Sequence, residues 1–334
     1  MAEVSQPISH VYLSIPLSIV IGILLCVESF ASEALFDDYY YDESYADISL
    51  SLGTGTREAE LRWSIASDSS GRNTPNILSE LTYENLTITE LQGSVHLHFN
   101  QGFLKKFDIN IDIKSGKNRD GLVIDSDYNG NNRTDEYSRS ESNPDGSTTL
   151  DGKIVIGYPL QWNERFFVTP FVGYNYSQQY LRMRNGVQII DTRAASLPIG
   201  PFTSELNSKY EAVWNSAIFA FDATYRGENH HLGLLWEFLI TDYYAEANWN
   251  LRSDFDHPKS FAHWATGTGN NLEFKYQYFA SPRFSLWVTY RIEDWKTNKG
   301  DDVVYFSDGT KAGTQLNEVV WESTATSAGF SLHF

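Results

Sequence analysis

FDINIDIK, residues 107–114, alternates without a break. Phe107, Ile109, Ile111 and Ile113 fall on one side of an extended chain. Asp108, Asn110, Asp112 and Lys114 fall on the other, because successive side chains of a strand point to opposite faces. NLEFKYQYFA (271–280) repeats the pattern, with Leu272, Phe274, Tyr276 and Tyr278 against Glu273, Lys275 and Gln277. FSLWVTYRIEDW (284–295) does so again, Trp287 being the exception on its polar side. A soluble sandwich buries one face and wets the other. Charges of both signs on one face, with Tyr, Phe and Trp on the other, fit a membrane barrel better: lipid meets the aromatic face and paired charges fill the lumen.

Ten such segments are expected, at 44–66, 77–99, 105–124, 148–160, 165–183, 210–227, 230–252, 261–279, 283–299 and 318–334. The connections alternate in length. Short turns follow the even-numbered segments, and longer loops rich in Gly, Asn, Asp and Ser follow the odd-numbered ones. The expected fold is all-β: a ten-stranded antiparallel transmembrane β-barrel with long extracellular loops in a bacterial outer membrane. The chain ends in ATSAGFSLHF, an alternating strand with a terminal Phe334.

The mean hydropathy of −0.37 excludes a bundle of membrane helices. The one long apolar run, Val11–Val27, precedes small residues at Ser29 and Ala31. It reads as a signal peptide over 1–31, cut after Ala31, with an anchoring helix as the alternative and a single barrel domain over 32–334. The only cysteine, Cys26, lies in this leader, so disulfides and cysteine chemistry are excluded from the mature chain. The formal charge of −18 argues against nucleic acid and favours cationic peptides or proteins, beside outer-membrane lipid, as partners.

Two acidic stretches follow odd-numbered segments and so share the long-loop rim. LVIDSDYNGNNRTDE (122–136) carries Asp125 and Asp127, and NLRSDFDHP (250–258) carries Asp254, Asp256 and His257. A closed ring of ten strands brings them to one mouth. Asp125 has the wrong parity to share the inward face of Asp108 and Asp112, so a bulge near Arg119–Gly121 is needed to turn it inward. Two bland alternatives stand beside a site. One is a solvated turn. The other is a calcium loop, since Asp125, Asp127, Asn129, Asn131 and Glu136 have the spacing of such ligands, with Gly130 at the sixth place. No GxSxG or HExxH pattern is present.

Four stretches in order resemble the omptin family of outer-membrane proteases: ADISLSLGTGTREAE (46–60), VIDSDYN (123–129), RTDEYSRSE (133–141) and RSDFDHP (252–258). The resemblance implies a ten-stranded surface endopeptidase that cuts near basic residues. Asp125 and Asp127 would be one catalytic pair and Asp256 and His257 the other, with a water between them that the histidine activates. Glu60 (less well Glu58) and Asp254 would form the acidic substrate pocket, with no metal and no cofactor. The family separates its second Asp from its His by one residue. Asp256 and His257 are adjacent and need a turn, which Pro258 favours, or Asp254 takes over the orienting role. The family's lipopolysaccharide-contacting Glu and Arg fall near Tyr176 and Gln178, so lipopolysaccharide dependence does not carry over. The alternatives are a non-catalytic adhesin or receptor, which binds cationic ligands or calcium at its mouth, and a small channel, disfavoured because side chains such as Asp112, Lys275 and Arg291 can fill the lumen.

Overall fold

The computed structural model describes residues 44–193 and 198–334; the expected leader and its cleavage site lie outside the described residues. Fourteen antiparallel strands run β1 (Ala46–Ile65), β2 (Ser79–Phe99), β3 (Asp108–Tyr128), β4 (Glu136–Asn143), β5 (Thr148–Gly157), β6 (Leu160–Gln161), β7 (Phe166–Asp191), β8 (Gly200–Pro201), β9 (Asn207–Arg226), β10 (His230–Asn248), β11 (Phe261–Ser281), β12 (Phe284–Thr297), β13 (Gly300–Tyr305) and β14 (Lys311–His333). The sheet closes on itself, because β14 pairs with β1 from Ser49↔His333 to Ile65↔Leu316. β4 and β5 share one place in the ring between β3 and β7, and β12 and β13 share another between β11 and β14. The ring therefore has ten positions. The fourth differs from the expected single strand at 148–160: the chain makes an extra turn at 144–147 and lays β4 beside the upper part of β3.

The alternation sorts side chains as the sequence demands. Leu52, Val172, Phe219, Phe221, Leu232, Leu234, Phe274, Leu286, Ile292 and Phe330 are exposed on the outer wall, where they form an apolar belt. Facing inward at the same level is a charged plug. Arg57, 1% exposed, pairs with Glu90 at 2.9 Å, Asp151 at 2.9 Å and Glu293 at 3.7 Å. Arg291 pairs with Glu237, Glu273 and Glu293, and Lys153 with Glu237 and Asp112. Trp287, the exception in its alternation, points inward and lies over Gly53 and Gly329, a cross-strand pair where any Cβ would collide with the indole.

Towards the long-loop rim the lumen turns apolar. Trp63, Tyr83, Tyr210, Trp214, Tyr243, Trp295 and Trp321 are buried there. Trp214 packs against Tyr243 at 4.5 Å and Trp295 at 5.7 Å between ring centroids. Two stacked obstructions, one ionic and one aromatic, fill the bore. In planar bilayers the purified protein is expected to give no steady ion conductance, and a stable open level would contradict this filling.

Candidate binding site at the long-loop mouth

Above the aromatic layer lies a cleft of about 830 Å³, walled by β1, β3, β4, β11, β13, Arg193, residues of 198–206 and the 249–255 stretch. Asp125 and Asp127 line it. Their inward aim depends on paired bulges. Asn118 pairs with Ile88 and Asp120 with Thr87, which leaves Arg119 as an extra residue on β3. β2 answers with an extra residue in the Asn85–Leu86 step, where Asn85 has φ +52°. Gly121 sits beside it at φ +147°, a backbone that an L side chain rarely adopts. Below the bulges Asp108 and Asn118 are buried on the even face of β3. Above them Val123, Asp125 and Asp127 take the inward face on odd positions.

Burial raises the proton affinity of both carboxylates. Burial in the cleft, with the neighbouring Asp127 charge, pushes the Asp125 carboxyl up to about 8, against the pull of Arg252 and of hydrogen bonding from the Trp249 indole. Burial raises Asp127 as well, opposed by the Ser79 hydroxyl and by the Arg193 and Arg252 charges. Both lie beyond the apolar belt, at the upper end of β3.

The second acidic stretch does not join them. Asp256 and His257 are exposed and line no part of the cleft. His257 Nδ1 lies 3.0 Å from Asn248 Oδ1, and the Asp256 carboxylate accepts the His257 backbone N–H at 2.8 Å. On β10 the inward positions are odd, as buried Tyr243, Ala245 and Ala247 show, so Asn248 belongs to the outer face. Lys259 fixes the loop there. Its ammonium donates to Tyr244 Oη at 2.7 Å and Glu246 Oε1 at 2.6 Å, among the rings of Tyr244, Trp264 and Tyr305. Asp254 is exposed and held by Arg252 through two hydrogen bonds of 2.9 and 2.7 Å. Glu60 has even parity on β1, opposite to buried Ala59 and Leu61, and meets Arg62, which also reaches Glu322. Glu58 is exposed on that same outer side. The bulge expectation for Asp125 therefore agrees with the strand register, whereas strand parity turns Glu60 away and the loop after β10 carries Asp256 and His257 to the outer side.

The calcium spacing does not become a calcium loop. Asp125 and Asp127 belong to a strand. The Asn131 carboxamide is engaged across the rim, accepting from the Asn76 backbone N–H at 2.9 Å and donating to Thr74 at 3.1 Å. Glu136 holds Arg139. Among the described residues no group of three or more His, Asp or Glu is placed to hold a metal ion.

Several cleft residues are not among the expected site residues. Arg252 and Arg193 both line it, each forked to an Asp two residues away. An Arg two residues from an Asp on a long-loop rim was the signal for both. Asp302 lies on the floor, accepting from Thr314 Oγ1 at 2.7 Å, with His263 Nε2 3.2 Å away. His263 Nδ1 is 2.9 Å from Tyr210 Oη, which is 2.6 Å from Tyr243 Oη. Extending the inward parity of Glu273 and Lys275 back along β11 finds His263. Asp302 needed the unexpected strand β13.

A closed ring with an apolar outer belt, a charged lumen and a loop-walled mouth is a bacterial outer-membrane β-barrel. The family model described as Pom, Protochlamydia outer membrane protein, matches residues 51–334, and the chain belongs to that family. No curated protein matches it. Among solved structures, the outer membrane protease OmpT from Escherichia coli is similar at a TM-score of 0.69 and 16% identity, over 90% of this chain and 99% of that one. The outer membrane protein OprG from Pseudomonas aeruginosa gives a TM-score of 0.33 at 10% identity, over 86% and 96% of the two chains. At 16% identity the OmpT likeness is one of fold.

Proposed function

We propose that this barrel is a non-conducting surface receptor that binds a cationic ligand, such as a basic peptide, at the Asp125–Asp127 pair in its mouth, with the long-loop rim facing outward from the cell. The observation that carries this reading is the paired bulge that turns both carboxylates into a cleft with a closed floor. Without it the pair would lie on the opposite face of β3, away from the cleft. Aromatic walls from Trp63, Tyr137, Trp249 and Phe255 suit the alkyl and guanidinium parts of a basic side chain.

Peptide hydrolysis by an Asp/His-activated water is the competing reading. It requires an imidazole within hydrogen-bond reach of the water, and His257 is committed to Asn248 on the outer face. The test is an Arg-Arg fluorogenic peptide incubated with refolded protein, with and without lipopolysaccharide. Saturable binding without cleavage is expected. Cleavage that disappears in both Asp125→Ala and His257→Ala would overturn the receptor reading in favour of hydrolysis.

A further inference from the structure

The cleft holds opposite charges that do not pair with one another. Asp125 and Asp127 stand on β3. Arg193, just past β7, and Arg252, just past β10, line the same cleft. Neither arginine forms an ion pair with either aspartate; each is clamped instead by its own neighbour, Arg193 by Asp191 and Arg252 by Asp254. Both clamps use Nε and Nη2. That leaves Nη1 of each guanidinium without a hydrogen-bond partner among the described residues. The rings beneath hold the forks in place: Arg252 lies 4.0 Å over Phe255 and Arg193 6.0 Å over Tyr137. The two guanidinium groups act on common neighbours, since both influence Asp127 and Tyr137.

A cleft that served only to bind cations would gain nothing from two preorganised guanidinium groups, which repel the ligand. If the arginines served only to neutralise the aspartates, they would be expected to pair with them. From this separation we infer that Arg193 and Arg252 form an anion subsite, and that the ligand is zwitterionic: its cationic group meets Asp125 and Asp127 while a carboxylate meets the two free Nη1 groups. A short peptide with a basic side chain and a free C-terminus has that chemistry. A singly charged carboxylate suits the site better than a phosphate, whose second charge would face the aspartates. The inference rests on the receptor reading above and names the second half of its ligand.

The test compares Arg-Arg as the free acid with its C-terminal amide, by calorimetric titration of the refolded full-length barrel. The acid is expected to bind at least about tenfold more tightly, the size of one charge-assisted hydrogen bond. Arg193→Gln with Arg252→Gln is expected to bring the acid down to the level of the amide. Both side chains are about half exposed, so the fold should survive; the wild-type comparison stands without the variant in any case. An amide that binds as tightly as the acid overturns the anion subsite. If neither form binds, or if Asp125→Asn leaves both affinities unchanged, the receptor reading itself is overturned.

Discussion

Asp125→Asn combined with Asp127→Asn is expected to weaken binding of an arginine-bearing dipeptide about 100-fold or more. Each carboxylate offers a charge-assisted hydrogen bond worth roughly 1.5–3 kcal/mol, and removing two costs at least about 3 kcal/mol, which is over about 100-fold. The same pair predicts the pH dependence. Both carboxyls are raised by burial, and Asp125 also by the Asp127 charge, so the free cleft holds a proton that a cationic ligand must displace. Affinity is therefore expected to fall on acidification below about 8 and to level off above it. Stability runs the other way. A carboxyl whose folded pKa exceeds its unfolded value binds more protons folded than unfolded. Its ionisation costs stability from the unfolded pKa upward. The double Asn variant should bind worse and unfold later in urea at neutral pH, a combination that general misfolding cannot produce.

Arg57→Met should be the most damaging single substitution in the lumen. Its guanidinium is the shared partner of Glu90, Asp151 and Glu293, and those carboxylates sit where solvent cannot replace it. Removing one member of a buried ionic group typically costs about 3–5 kcal/mol, because the remaining charges are left uncompensated. Urea unfolding in detergent micelles, read by heat-modifiable gel mobility, should show a loss of that size. Arg57→Met with Glu90→Gln and Glu293→Gln should recover much of it. A single variant as stable as wild type would mean that water, not side chains, balances this plug.

The ring was legible because alternation is a strong signal when every strand has one wet and one dry face. Ile109, Ile111 and Ile113 against Asp108, Asp112 and Lys114 were enough to orient β3, and the same period fixed β11 and β12. The mouth was legible only in part. Parity flagged that Asp125 needed a bulge, and the glycine of RDG marked where it falls. No comparable signal existed for Asp256 and His257. Their orientation is set by Lys259 among Tyr244, Trp264 and Tyr305, a long-range contact that no local spacing encodes. Glu60 was misplaced for a simpler reason: Arg57 and Trp63 point inward on β1, and an even-numbered residue cannot share their face. β4 was missed because EYSRSESN (136–143) carries few apolar residues, its inward face being serine.

The most direct measurement uses thiol protection in a Cys26→Ser background, since Cys26 is the only cysteine of the chain. Ser140→Cys places a thiol on the cleft wall, and His257→Cys places one on the outer face. A maleimide probe is added with and without Arg-Arg. Slower labelling at position 140, with no change at position 257, is the expected result. Equal protection at both positions, or protection at 257 alone, would contradict a ligand seated at Asp125 and Asp127 inside the mouth.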